Sequence, residues 1–309
     1  MKKTSKILIV SLLVFLLCGC TKTLKSEDNK AVVNEKTGQT VTENIVCKPK
    51  DEDVIKLYEE NKVDLSKLPE CEKLKITSKY EGLWYNVFVR PLAFVIIKIG
   101  TFVKSYGVAI IIMTLLIRLV LYQITRKTAN QSEIMKKAKP DLDKLEKKYK
   151  DKTDQESQMQ KSQETMAIYK KYGINPVSGC LFAFLQLPIF FAFLEAINRV
   201  PAIFEDTFLT LNLGTTPWVA IGSGHYQYII LNLLIAATTY FSFRNTTADT
   251  SMVGGNNQQK LTTIIMTLSI IFISFRLPAA IAIYWVFNSG FTILQNLLVK
   301  RGKKDVGKA

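Results

Sequence analysis

The chain has 309 residues, 48% of them hydrophobic and 22% charged, with a formal net charge of +15. One soluble domain rarely joins that much apolar content to so strong a basic excess, whereas a membrane protein with basic flanks does so naturally. A lone histidine, His225, rules out most His-based metal or triad chemistry.

Lys2, Lys3 and Lys6 precede the apolar run ILIVSLLVFLL, which ends in CGC, the layout of an export signal over residues 1–19. LCGC at 17–20 resembles a lipobox with Cys20 as acceptor, Cys18 being an unusual occupant of its position. Cleavage there leaves a lipidated Cys20 outside the cell; an uncleaved anchor is the other reading. Residues 20–82 form a polar extracytoplasmic segment rich in Lys, Glu, Asp and Asn, with Cys47 and Cys71 flanking a short helix within VIKLYEENKVDLSKL. In that compartment the two cysteines either form a disulfide or stay as free thiols.

In residues 83–104 Asn86, Arg90, Lys98, Thr101 and Lys104 make a polar stripe, which with Trp84 and Pro91 predicts an amphipathic helix lying in the membrane interface. Topology agrees. Were this segment to span, with the N-terminus outside, residues 126–174 would also lie outside. They carry thirteen Lys and Arg, which belong in the cytoplasm.

Five spans follow, at 106–125, 177–197, 226–243, 261–277 and 279–299, each helical because hydrocarbon offers the backbone no other partner. The outer loop is 198–225, and its residues 200–225 hold no Lys or Arg. The inner loop 244–260 is bracketed by Arg244 and Lys260, and 300–309 is a basic tail, which puts the C-terminus in the cytoplasm. Residues 126–174 read as a cytoplasmic helical hairpin. Ile134, Ala138, Leu142, Leu145 and Tyr149 line one arm, and Met159, Ser162, Met166 and Tyr169 the other. KDKTD at 150–154 makes the turn, Gly173 caps the second arm, and Asn175 with Pro176 opens the next span. The expected fold is an all-α integral membrane protein of five transmembrane helices, an interfacial amphipathic helix and a cytoplasmic hairpin.

Arg118 is the only charge in YGVAIIIMTLLIRLVLYQI, residues 106–124. Such an Arg at a helix centre costs roughly 2.5–3.5 kcal/mol on insertion scales, so it needs a partner, water, or a reach to the headgroups. The five spans contain no Asp and one Glu, Glu195. Arg118 lies about 12 Å from the cytoplasmic edge and Glu195 about 27 Å up its own span, too far apart to pair. Two readings stand: snorkelling to the inner headgroups, or a wet cavity open to the cytoplasm. Thr114, Gln186, Thr238, Thr239, Ser242, Asn288 and Gln295 are available to line such a cavity. No HExxH, paired Asp or Ser–Lys dyad occurs in the spans, which argues against an intramembrane enzyme, and no internal repeat points to a transporter. A groove for another membrane segment is left.

KKYGINPVSGCLFAFLQLPIFFAF (170–193), with Asn175-Pro176, Gly179-Cys180, Gln186, Pro188 and Phe190 in that order, closely resembles the signature of the YidC-type membrane protein insertase family. FRLPAAIAIYWVFNSGFTILQ (275–295) resembles its final helical hairpin, and FLTLNLG (208–214) its outer loop. MTLLIRLVLYQITRK (113–127) resembles its first core span with the essential Arg. The lipobox and short outer segment look like the Gram-positive-type form. The resemblance implies that Arg118 is the groove Arg, Thr114 a polar groove position one turn before it, and Trp285 an aromatic that lines the groove or touches substrate. Gln186, Ser242 and Asn288 complete the expected substrate groove. Ser242 stands where many relatives have Gln, and RLPAA replaces the family's FP.G, placing Arg276 unexpectedly near the outer leaflet.

Implied with the family is an insertase that moves newly made membrane proteins into the bilayer, alone or with the Sec translocon, without catalytic residue, metal or cofactor. Its expected partners are nascent membrane proteins, membrane lipids, the Sec translocon, and the ribosome and targeting factors at the hairpin and tail, but not DNA. A chaperone without translocation and an ion-conducting pore are the rivals.

Overall fold

A computed structural model describes residues 21–77, 81–175, 177–246 and 256–306. The export signal with Cys20, and Pro176, lie outside the described residues. The elements are α1 (Glu52–Glu60), α2 (Arg90–Val103, entered through a π turn at Tyr85–Val89), α3 (Tyr106–Val120), α4 (Tyr122–Lys148), α5 (Gln155–Tyr172), α6 (Val177–Asn198) and α7 (Pro201–Phe204). A two-stranded antiparallel ribbon follows, β1 (Thr207–Phe208) and β2 (Leu211–Asn212), then α8 (Pro217–Gly222), α9 (Gln227–Thr246), α10 (Asn256–Ser274) and α11 (Ala279–Val306).

Tyr85–Val103 and Ala279–Arg301 are long and apolar enough to cross a membrane, and α3 with α4 makes a third if the pair is one broken span. Gln186–Asn198 and Thr263–Ser274 are shorter apolar stretches. This is an all-α membrane protein in its main elements. Residues 83–104, expected as an interfacial helix, thus include a segment with the length and hydropathy of a span.

The chain divides into two compact units. One comprises residues up to Ile117, Leu185–Ile235 and Phe272–Phe287; the other comprises Arg118–Phe184, Ala236–Ile271 and the residues from Asn288 on.

In the first unit, the N-terminal polar segment is folded. Leu24, Val41, Ile45 and Tyr58 form a small core, and the chain crosses itself through bridges at Thr23 with Thr42 and Val33 with Thr40. Asn34 Oδ1 accepts the Lys36 N–H at 3.0 Å, and Gly38 closes the turn with φ +72°. A Cβ at Gly38 would run into Thr216 and Val219, so this glycine serves both the turn and the close approach of a second segment. Asp51 caps α1 by accepting the N–H groups of Asp53 and Val54, and Glu52 and Asp53 suit the positive end of that helix. Burial among apolar side chains pushes the Tyr58 phenol well above its ordinary pKa; its hydroxyl donates to the Thr42 carbonyl at 2.6 Å.

Backbone contacts stitch this segment to the loop after α6. Val46 N–H donates to the Arg199 carbonyl (2.9 Å), Thr216 N–H donates to the Thr37 carbonyl (2.7 Å), and Glu205 Oε1 accepts the N–H groups of Lys50 and Asp51. The segment is therefore docked rather than a loose tether. Asp206 likewise receives the Tyr106 N–H at 2.6 Å, placing a carboxylate at the start of α3.

Cys47 and Cys71 are joined by a disulfide with Cα atoms 4.8 Å apart, both nearly inaccessible. The exported protein is expected to show this bridge by non-reducing peptide mapping. Two thiols that alkylate freely without a reductant would be the contrary result.

In the second unit, the helix expected over 106–125 breaks at Leu121. The Thr125 hydroxyl turns back on the carbonyls of Leu121 and Tyr122, and Gln295 Nε2 reaches from α11 to the Tyr122 carbonyl (3.3 Å) and Thr125 Oγ1 (2.7 Å). These side-chain bonds tie the first turn of α4 to α11 just past the break.

The hairpin of α4 and α5 closes over Met135, Ala138, Tyr169 and Ile174, with Ile134, Leu142, Ile168 and Tyr172 packed against them. Asp154 caps α5 through the Ser157 N–H, and Gly173 ends it at φ +66°. Lys171 Nζ on Asp141 (2.8 Å) and Lys148 Nζ on Glu164 (2.6 Å) join the arms. These ammonium groups, with the hydroxyls of Tyr172 and Tyr149, hold both carboxyls below their ordinary range. One expectation fails here: Met159 and Met166 are 58% and 46% exposed and Ser162 is exposed too, so they do not line the hairpin. Tyr169 lines it as expected, together with Ile168 and Tyr172, while Glu164 and Tyr172 bond across to α4 and its C-terminal end.

Candidate functional site

Arg118 is the first residue to place. Its helix, α3, is apolar on every side, so the guanidinium has to be served by neighbours. The side chain is 4% exposed, and its Nε donates to Asn288 Oδ1 of α11 at 2.7 Å. Asn288 is half-buried, and an amide oxygen satisfies the donor without cancelling its charge. The site therefore holds a buried guanidinium with the Asn288 amide oxygen among its partners.

Thr114 lies one turn before Arg118 and is 1% exposed. Its hydroxyl donates to the Ile110 carbonyl at 2.6 Å within the same helix, leaving only acceptor capacity for another group. Trp285 is half-buried, one turn before Asn288 on α11, with its ring perpendicular to Phe190 at 5.5 Å. Phe190 also meets Tyr284, which stacks on Phe193 at 4.3 Å, so Trp285 belongs to an aromatic cluster between α6 and α11. Gln186 on α6 and Ser242 on α9 are half-buried. Of the expected groove residues, the structure thus joins Arg118 to Asn288 directly. Thr114, Gln186 and Trp285 fall in the first compact unit, and Arg118, Ser242 and Asn288 in the second.

A second polar cluster escaped the sequence reading. Glu195, 4% exposed, accepts the Trp84 indole N–H at 2.8 Å and pairs with Arg199 Nη2 at 2.7 Å. Arg199, 5% exposed, also reaches Glu81 at 3.0 Å and lies 4.3 Å over the Tyr85 ring. Arg90 stacks over the same ring at 4.7 Å and is buried, so it does not belong to the solvent-facing stripe expected of residues 83–104. The π turn at Tyr85–Val89 adds a residue to its turn and rotates Arg90 off the regular spacing. Glu195 and Arg199 stand at the helical i, i+4 spacing, a signal that was present in the sequence.

The family model described as 60Kd inner membrane protein matches residues 98–306. The chain belongs to the YidC family. The membrane protein insertase YidC of Oceanobacillus iheyensis is 35% identical over 231 residues, covering 73% of this chain and 87% of its own. YidC 2 of Bacillus anthracis is 36% identical over 235 residues (76% and 88%), and the insertase MisCA of Bacillus subtilis 33% over 237 (74% and 85%). Arg118 and Asn288 both lie inside the stretch matched by the YidC family model. The disulfide segment, Trp84 and Arg90 precede it, so the Glu195 cluster ties residues outside the matched stretch to residues within it.

Proposed function

We propose that this chain inserts newly made membrane proteins into the bilayer and assists their folding, with Arg118 as the charge that draws a hydrophilic tail part-way across. What carries the reading is that one side chain: a guanidinium buried in the apolar α3, its Nε bonded to the Asn288 amide oxygen, in a chain of the YidC family. A polar tail entering hydrocarbon loses several kcal/mol per unsatisfied group. A hydrated groove lined by Thr114, Gln186, Ser242, Asn288 and Trp285 lowers that barrier. Arg118 adds an attraction for acidic tails of ~4 kcal/mol at ~4 Å and an effective dielectric of 20. The following apolar segment then leaves sideways into lipid. The action is non-enzymatic; hydrophobic partition and the membrane potential, about 2.3 kcal/mol per charge per 100 mV, drive it.

In this reading Cys20 is lipidated and the folded N-terminal segment lies outside, α2 rests in the outer interface, five spans follow, and the C-terminus is cytoplasmic. The thirteen basic residues of 126–174 and the tail 300–309 then face the ribosome and targeting factors, with the Sec translocon as a further partner.

Reconstitution of the full chain into liposomes tests the function. A substrate with a short acidic tail should acquire a protease-protected tail well above the level in empty liposomes. No protection would overturn the proposal. Binding without protection would leave a chaperone, and steady ion conductance a pore.

A further inference from the structure

The insertion reading does not use Arg276. It follows the end of α10 at Ser274, on the face assigned above to the outside, where a basic residue runs against the usual charge bias. The side chain is exposed, and among the described residues no acidic group pairs with it. Its guanidinium instead lies 5.1 Å over the ring of Trp218, itself 61% exposed. The backbone beneath is fixed: Trp218 N–H donates to the Phe275 carbonyl at 3.0 Å, and Ala279 N–H to the Thr215 carbonyl at 3.0 Å. Just before Arg276 on α10, Phe272 and Ile273 are 78% and 53% exposed.

From this arrangement we infer that Arg276 and Trp218 form a binding site for the phosphate of an anionic phospholipid in the outer leaflet. A guanidinium lying over the face of an indole makes no hydrogen bond to it, so the N–H donors of the exposed Arg276 stay available to phosphate oxygens, which accept them in pairs. Indole rings favour the headgroup level, and the bare Phe272 and Ile273 suit acyl chains immediately below. Charge complementarity selects the occupant: a lipid whose phosphate is not offset by its own ammonium group.

The test uses the intact chain in phosphatidylcholine vesicles doped with brominated phosphatidylglycerol or with brominated phosphatidylcholine at equal mole fraction. Trp218 emission is taken as the difference from Trp218→Phe, which removes the signals of Trp84 and Trp285. Quenching should report an enrichment of the anionic lipid at Trp218 of about fivefold, the factor for one basic side chain near an anionic surface. Arg276→Gln should abolish the preference, and Arg276→Lys should keep part of it. Equal quenching by the two lipids in the unmodified protein overturns the proposal without reference to any variant, as does a preference that persists in Arg276→Gln. The readout does not depend on insertion activity, so its failure is distinct from failure of the proposed function.

Discussion

Arg118→Ala should give a folded, membrane-embedded protein that inserts acidic-tailed substrates at least about tenfold more slowly, equivalent to 1.4 kcal/mol of the attraction being lost. The substitution removes a charge that burdens its own helix, so lost production is not expected. The Asn288 amide left behind is only half-buried and can take water in place of the guanidinium. Arg118→Lys keeps a cation while losing the planar fork, and should retain much of the rate if charge is what matters. Asn288→Asp is the complementary change: a carboxylate at the Nε contact would neutralise Arg118 with little change of shape, so it should resemble Arg118→Ala for acidic tails. Substrates with neutral tails should depend less on either residue. Protease protection in liposomes reads all of these. Snorkelling makes the opposite forecast, with Arg118→Ala harmless for every substrate; a normal rate on acidic tails in that variant would remove Arg118 from the mechanism.

Arg118 was legible because a single charge in an apolar run is costly wherever it sits, and the cost announces itself locally. Asn288 was among the expected groove residues, but its bond to Arg118 was not legible, because the two lie far apart along the chain. The break at Leu121 was hidden for a similar reason, since the apolar pattern runs on through it and Gln295, which bonds the turn beyond it, comes from the last helix. Counting apolar residues also concealed the Glu195 cluster. The counted span ends at 197, so its acid was weighed against Arg118, while Arg199 fell into the loop. The N-terminal segment read as merely polar because its apolar core is small and its docking rests on backbone bonds to the Arg199 carbonyl and the Glu205 carboxylate and from Thr216, which leave no mark on composition. Helical spacing failed on α5, where Met159 and Met166 share a face that stays exposed among the described residues.

The Glu195 cluster should carry the largest single contribution to stability among the polar contacts. Glu195→Ala leaves the Trp84 N–H without its acceptor and Arg199 without its buried counter-charge. Arg199 and Arg90 would then face one Tyr85 ring as two cations, a repulsion that Glu195 now offsets. Removing one member of a buried pair costs about 3–5 kcal/mol, so thermal unfolding in detergent should fall by many degrees. Glu195→Gln keeps an acceptor for Trp84 and should lie between the parent and Glu195→Ala. Glu81 is half exposed where it meets Arg199, and Glu81→Ala should cost no more than about 1 kcal/mol. The joint replacement Glu195→Leu with Arg199→Met tests whether charge or its imbalance matters. An apolar pair of similar volume is often neutral or better, so the double variant should regain most of what Glu195→Ala loses. If Glu195→Ala unfolds within a degree or two of the parent, the buried ion pair does not fasten α2 to the end of α6. Its burial would then reflect local packing around Tyr85 alone.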